Sequence, residues 1–187
     1  MKNKLYIAYG SNLNFAQMGW RCPTARFIGS GIVDGYRLAF KGDVAAVATI
    51  EEADGCQTPV GVWEIKPADE QSLDVYEGYP RLYQKRDIEV SMASGGELTG
   101  MVYTIGPSLG YGIPARSYYN AIAAGYENCG LDAGYLHEAF TFSALKAEEN
   151  RYGQLGFFDG CGSVNEETKA GPEEETLDDG PVFMLAY

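Results

Sequence analysis

The sequence predicts an α+β protein whose sheet is strongly bent or closed. About six extended segments come mostly before the late helical segments, an order typical of α+β folds. Of the 187 residues, 45% are hydrophobic and 13% aromatic, which is enough apolar material for a core and excludes a largely disordered chain. The length fits one domain, over residues 1–150, followed by an appendage over residues 151–187.

Strands separated by turns are predicted for the first third of the chain. Residues 5–9 form a short apolar run typical of a buried strand, and three turn-forming residues at 10–12 end it. A short helix is expected to open over residues 13–18. Further strands are predicted over residues 28–40, with Gly31 and Gly35 at bulges or bends, and over residues 44–50 and 60–65.

A helix is predicted next, because Pro67 stands near its start and two acids follow in its first turn, where the helix dipole favours them. It is expected to end near Glu77, since a glycine and a proline follow at 78 and 80. The remaining predicted elements are strands over residues 82–92 and 98–105, joined by a turn at 94–96, and helices from Pro114 and over residues 133–149.

The chain is strongly acidic. It carries 14 Lys and Arg against 26 Asp and Glu, for a formal net charge of −12. Such a field repels nucleic acids and anionic membranes, so neither is expected as a partner. Residues 166–179 supply half of this charge and predict a solvated loop. The apolar end, residues 181–187, is predicted to dock on the body or on a neighbouring subunit, which allows a homo-oligomer.

The remaining composition indicates a cytoplasmic protein without a cofactor. No long apolar run of a secretory signal or a membrane span is visible. The sequence contains neither G-x-G-x-x-G nor a P-loop, so no nucleotide cofactor is indicated. Four cysteines without a C-x-x-C pair predict free thiols: Cys22, Cys56, Cys129 and Cys161.

Metal and nucleophile sites find little support. Cys129, His137 and Cys161 match no usual metal-ligand spacing, so no metal is expected. A Cys–His pair or a Ser11 nucleophile would each depend on the one histidine, His137, and Ser11 lacks a G-x-S-x-G elbow.

The first candidate site is the turn Tyr9-Gly10-Ser11-Asn12-Leu13, which follows a strand and precedes a helix. Backbone N–H groups at such a corner can bind a carboxylate or an oxyanion, and Gly10 lets a ligand approach the backbone closely. A strand that ends in Gly-Ser-Asn is also commonly no more than a turn.

The second candidate is Glu77. The negative end of the helix dipole, the like charge of Asp74 one turn earlier, and an apolar wall of Tyr76, Tyr79 and Tyr83 would all raise its pKa. A carboxyl group with a raised pKa suits a general base that later acts as an acid. The competing interpretation is an ordinary surface charge.

Taken in order, these segments resemble the gamma-glutamylcyclotransferase-like family over about residues 4 to 135. The matching pieces are Tyr9-Gly10-Ser11-Asn12-Leu13, Met-Gly-Trp-Arg-Cys-Pro at 18–23, Gly-Tyr-Arg-Leu-Ala-Phe at 35–40, Gly-Val-Trp-Glu-Ile at 61–65, Leu73-Asp74 with Glu77-Gly78-Tyr79-Pro80 and Tyr83, and Pro114, Tyr118, Ile122, Gly125, Gly130 and Leu131.

The resemblance implies a small mixed β-barrel flanked by helices. It implies an enzyme that cyclises the γ-glutamyl group of a peptide or amide to 5-oxoproline and releases the amine. By position, residues 9–13 correspond to the family's substrate cradle, Glu77 to its catalytic acid/base and Tyr118 to a pocket residue. A non-catalytic binding module for a γ-glutamyl metabolite and an interaction protein that acts through its acidic segment remain as alternatives.

Overall fold

A computed structural model describes residues 3–43, 45–106 and 108–155. The acidic segment 166–179, the apolar end 181–187 and Cys161 lie outside the described residues, so the predictions made for them stay predictions. Among the described residues, no helix is long and apolar enough to cross a membrane.

Within the described part of the chain, five strands close into a mixed barrel in the order β1-β3-β2-β4-β5. Their bounds are β1 (Lys4–Ala8), β2 (Arg26–Lys41), β3 (Val47–Ile65), β4 (Tyr83–Met92) and β5 (Glu97–Ile105). Neighbouring strands are antiparallel, except that β5 meets β1 in parallel at Met101 and Tyr6. The predicted fold, an α+β barrel flanked by helices, is confirmed.

A 3-10 turn and four helices connect and cover these strands in the described residues. The turn is Ser11–Leu13, and the helices are α1 (Phe15–Arg21), α2 (Pro67–Tyr76), α3 (Arg116–Cys129) and α4 (Ala133–Leu155). Helix α4 packs on β2, where the Ser143 hydroxyl accepts a hydrogen bond of 2.8 Å from the Phe40 backbone N–H. The helix thereby covers the barrel on that side.

One strand prediction was wrong in its extent. Residues 44–50 and 60–65 were expected as separate strands, but Val47–Ile65 is one strand that pairs with β2 along most of its length. The intervening residues 51–57 are mostly polar and half-exposed. Residues 53–56 lie opposite Gly35 alone, at a register shift between β2 and β3. Pro59 fits inside the strand because β1, its neighbour on the other side, ends at the Ala8–Gly61 pair.

The two glycines predicted to lie at bulges have different roles. The register shifts between Asp34 and Tyr36, where Gly35 has a positive φ of 75°, so the irregularity predicted at Gly35 is confirmed. Gly31 is paired in register with Val60. A Cβ there would lie 2.5 Å from Val90 Cγ1, so the bulge prediction at Gly31 is wrong. The residue instead allows β4 to approach β2 closely.

Local sequence determines where α2 starts and stops. Pro67 occupies its first turn, and the Asp69 carboxylate accepts a 2.9 Å hydrogen bond from the Lys66 backbone N–H. The helix ends at Tyr76, with Glu77 as its C-cap residue. Gly78 then takes a left-handed φ of 62°, which stops the helix. Glu77 is therefore held at a defined helix end.

The 3-10 turn is locked between β3 and α3. Leu13 is fully buried, and its Cδ2 would lie 2.9 Å from a Cβ placed at Gly61. From the other side, a Cβ at Gly125 of α3 would lie 2.6 Å from Leu13 Cβ and 2.7 Å from the Asn14 backbone nitrogen. The absence of both side chains lets the two elements press on the turn, and Asn14 then caps α1.

Gly125→Ala is expected to lower the free energy of unfolding by about 1–3 kcal/mol, because the added methyl group overlaps backbone atoms of the turn. Chemical denaturation measures this change. Gly19→Ala is the matched control, since an added Cβ there has no atom within 4 Å on the exposed side of α1. It should be neutral or slightly stabilising. Equal stabilities of the two variants would contradict the packing argument.

Candidate functional site

The carboxyl group of Glu77 is buried at the C-terminal end of α2. The residue is only 9% exposed, although glutamate is rarely buried without a partner. Oε1 accepts a 2.9 Å hydrogen bond from Nδ2 of Asn12, in the middle of the 3-10 turn. The structure thus brings together the two sequence-predicted segments, which are 65 positions apart in the chain.

Arg21, in the last turn of α1, lies beside the Asn12–Glu77 pair and is hydrogen-bonded to the turn. Its Nη1 donates to Asn12 Oδ1 at 2.5 Å and to Ser11 Oγ at 3.1 Å. The guanidinium carbon lies 3.6 Å from the centroid of the Tyr76 ring, a cation–π contact. The Ser11 hydroxyl and the Tyr76 hydroxyl are also hydrogen-bonded at 3.2 Å. These contacts join α1, the turn and α2 around Glu77.

A set of tyrosines surrounds the buried carboxyl group. Burial is the largest cause of a raised pKa for each of these phenols, and the charge of Glu77 is a further cause: Tyr6, Tyr9, Tyr83, Tyr103 and Tyr118. Of the expected wall, only Tyr83 is buried; Tyr76 and Tyr79 are 44% and 40% exposed. The wall is therefore formed mainly by residues far from Glu77 in the sequence, on β1, β5 and α3 and at Tyr9.

Burial raises the pKa of Glu77 to about 7, while the charge of Arg21 and the hydrogen bond from Asn12 pull it down. The expected direction and the expected desolvation are thus found. The expected repulsion from Asp74 is wrong. Its Oδ1 lies 2.6 Å from Lys85 Nζ and accepts a 2.6 Å hydrogen bond from the Tyr103 hydroxyl, so the cation offsets its charge and it does not shift Glu77.

The other predicted site residues lie around the turn. Tyr9 is buried and donates its hydroxyl to the Tyr103 carbonyl at 2.5 Å. A Cβ at Gly10 would lie 3.5 Å from the Tyr118 hydroxyl, and that hydroxyl accepts a 3.2 Å hydrogen bond from the Ala48 N–H. Leu13 points into the core and so supports the turn from below.

The turn leaves donors unused. Its own hydrogen bonds begin with the Leu13 N–H, which donates to the Gly10 carbonyl at 2.9 Å, and the Asn14 N–H, which donates to the Ser11 carbonyl at 3.1 Å. The N–H groups of Ser11 and Asn12 precede these donors and are not used by the turn. They can serve an anionic group in the way that helix N-termini do.

Sequence reasoning did not place three contributors at the site: Arg21, Tyr6 and Tyr103. Tyr6 accepts a 2.8 Å hydrogen bond from Asn12 Nδ2, and its ring makes an edge contact with Tyr103. Tyr6 and Tyr103 lie inside apolar strands, where an aromatic residue indicates packing. Arg21 carries a weak signal, since it lies nine residues after Asn12 in the segment 18–23.

The arrangement of Glu77 beside the turn is suited to proton transfer. It holds one carboxyl group whose pKa lies near neutrality, beside a polar turn and away from bulk water. Within the described residues, no group of three His, Cys, Asp or Glu side chains is placed to hold a metal ion.

The barrel and its helices have the fold of gamma-glutamyl cyclotransferases. A solved structure titled gamma-glutamyl cyclotransferase superposes with a TM-score of 0.68 at 25% identity, covering 74% of this chain and 86% of that one. A family model described as gamma-glutamyl cyclotransferase, AIG2-like, matches residues 6–121. The chain belongs to this family.

Two further relatives carry the name gamma-glutamylcyclotransferase. The Mus musculus protein is 30% identical over 158 residues, which cover 79% of this chain and 80% of the relative. The Bos taurus protein is 29% identical over 140 residues, which cover 70% and 74%. Both matches extend over most of each chain, so the similarity involves the whole domain rather than one motif.

Glu77→Gln is expected to change the pH dependence of stability. The folded-state pKa of Glu77 is raised to about 7 from 4.5, so folding favours the protonated form. The resulting penalty is full above pH 7 and disappears as the pH falls to about 4.5. Between pH 5 and pH 8, Glu77→Gln should therefore gain about 2–3 kcal/mol relative to wild type, as measured by urea unfolding. The exposed Glu127→Gln should gain nothing comparable, and a constant difference for Glu77→Gln would contradict the raised pKa.

Proposed function

We propose that this chain cyclises the γ-glutamyl group of an amide or peptide, forming 5-oxoproline and releasing the amine, with Glu77 as general acid and base. The observation that carries the proposal is the buried Glu77 carboxyl group, hydrogen-bonded to Asn12 of the turn. The names of the relatives support the reaction class.

The reaction needs few protein groups, because the substrate carries both reactants. Its α-amine attacks its own γ-carbonyl carbon, a new C–N bond closes a five-membered ring, and the former amide C–N bond breaks. Holding the glutamyl arm folded turns this attack into a well-oriented intramolecular step, which can supply about 7–11 kcal/mol of the barrier.

Glu77 would carry the proton that this exchange requires. The α-amine loses a proton as it attacks, and the leaving amine must gain one. A carboxylate takes the first proton and the resulting acid returns it, so the enzyme ends unchanged. A pKa of about 7 suits both steps at neutral pH, because neither transfer is strongly uphill.

The turn would bind the negative charge of the substrate. The N–H groups of Ser11 and Asn12, which the turn does not use, suit the α-carboxylate or the tetrahedral oxyanion, and one donor to an oxyanion is worth up to about 4 kcal/mol. Gly10 lies close to Tyr118, since a Cβ there would be 3.5 Å from the Tyr118 hydroxyl. Tyr9 to Leu13 and Tyr118 are thus the proposed substrate-binding residues.

The net charge of the chain affects which leaving amine the site would favour. A net charge of −12 disfavours a polyanionic substrate such as glutathione, although half of it belongs to residues 166–179. A γ-glutamyl amine, or a γ-glutamyl group on a cationic molecule, therefore suits the chain at least as well as glutathione.

Glu77→Gln should lower the rate of 5-oxoproline release by about 10²–10⁴-fold, because the amide cannot accept the proton. The assay compares glutathione with several γ-glutamyl amines and amino acids, and Glu127→Gln on the exposed face of α3 serves as the matched control. Equal rates for wild type and Glu77→Gln on every active substrate would refute the role of Glu77. Thermal stabilisation by these ligands without any turnover would favour the alternative, a non-catalytic binding module.

The pH dependence of the reaction should follow the ionisation of Glu77. Activity requires the ionised form of Glu77, whose pKa is about 7, so kcat/KM should fall tenfold per pH unit below about pH 7. Steady-state rates on the best substrate between pH 5 and 9 test this expectation. A profile that stays flat down to pH 5 would assign the proton transfer to another group.

A further inference from the structure

The guanidinium of Arg21 reaches the site from outside the two predicted segments. Nη1 donates to Asn12 Oδ1 and Ser11 Oγ, as described above. Nη2 donates to Gln17 Oε1 at 2.7 Å and to the Tyr76 hydroxyl at 2.6 Å. Four contacts on two nitrogens, with the cation stacked on Tyr76, hold this side chain in one orientation.

This orientation decides which face of the Asn12 amide meets Glu77. An asparagine amide has one accepting atom and one donating atom. Arginine only donates, so it fixes Oδ1 of Asn12 on its own side. Nδ2 must then face Glu77 Oε1 and the Tyr6 hydroxyl. With the amide reversed, Oδ1 would face the carboxylate, and two acceptors would be in contact.

We propose that Arg21 is a positioning residue: it holds the Asn12 amide with its donor toward Glu77 and thereby supports the ionised carboxylate that accepts the substrate proton. The inference rests on the proposed function of Glu77. Neither predicted segment contains Arg21, and its guanidinium acts on Glu77 through another side chain.

Arg21 is also the cation that acts on Glu77. The groups that face the carboxyl group from β1 and the turn, β4, β5 and α3 are phenols: Tyr6, Tyr9, Tyr83, Tyr103 and Tyr118. Their pKa values are raised, so they are neutral at pH 7, as is the buried Cys22 thiol, whose pKa is raised to about 12. Lys85 is paired with Asp74 and Glu70. Removal of the charge at Arg21 should therefore raise the pKa of Glu77.

The test compares Arg21→Gln with Arg26→Gln. Arg26 lies five residues further along, is 72% exposed and pairs with Glu64 at the surface, so its variant removes the same charge away from the site. The measurement is the ¹³C NMR titration of the Glu77 carboxyl carbon, assigned with Glu77→Gln. Arg21→Gln should shift the midpoint upward by about one pH unit, with the acid limb of the activity profile moving by the same amount. Arg26→Gln should titrate like wild type. An unshifted Glu77 in folded Arg21→Gln would overturn the proposal.

A double-mutant cycle with Asn12→Ala tests whether Arg21 acts on Glu77 through the Asn12 amide. If Arg21 acts through the Asn12 amide, Arg21→Gln should shift Glu77 less in the Asn12→Ala background than in wild type. Equal shifts in both backgrounds would overturn the positioning role.

If Arg21→Gln does not fold, Arg21→Lys provides a second test of the proposal. Lysine retains the charge but lacks the fork that grips Asn12, Ser11 and Tyr76 together. Its Glu77 midpoint should lie between those of wild type and Arg21→Gln, because the charge is kept but the hold on the Asn12 amide is lost, and kcat/KM should fall at least several-fold at pH 7. Wild-type activity in Arg21→Lys would overturn the role of the fork. Because the NMR titration needs no substrate, failure of the proposed reaction would leave the inference about Arg21 separately testable.

Discussion

The hydrogen bond between the Asn12 amide and the Glu77 carboxyl group joins the start of the barrel to the end of α2 and defines the candidate site. It satisfies a carboxyl group that the protein withdraws from water, which is otherwise costly. One neutral donor offsets only part of that cost. Burial therefore still outweighs Arg21 and Asn12, and the pKa of Glu77 stays raised. A site with stronger compensation would hold a permanently ionised carboxylate, which is a poorer general acid.

Such a site depends on a rigid frame, because a shift of the turn relative to α2 would break a 2.9 Å contact. The frame is a closed barrel in which β1, the strand before the turn, is held between β3 and β5. Gly61 and Gly125 let β3 and α3 press on Leu13 from two sides. The turn is therefore positioned by the packing of Leu13, while the side chains of Ser11 and Asn12 contact Arg21, Tyr76 and Glu77. Leu13 thus fixes the position of the turn in the core, and Ser11 and Asn12 supply its polar groups.

Local signals in the sequence were sufficient where structure is local. Pro67 and Gly78 mark the ends of α2, and the glycines at 95 and 96 mark the β4–β5 turn with positive φ angles. Long-range pairing was not visible. Residues 51–57 resemble a loop in the sequence, because they are partly exposed and residues 53–56 lie at a register shift between β2 and β3. Asp74 shares a helix with Glu77, yet Lys85 of β4 offsets its charge, and no spacing rule shows that contact.

The same distinction explains why the candidate site was only partly predictable. Glu77 and the turn carry their signal in residue type and order, so a single pass along the chain finds them. Arg21 and the wall of phenols act on Glu77 only because the barrel and the helices packed on it bring separate segments of the chain together. The proton affinity of Glu77 is thus a property of the tertiary structure, set by the balance between burial and one cation. Substitutions that leave residues 9–13 and 77 intact can change that balance through the elements packed around them.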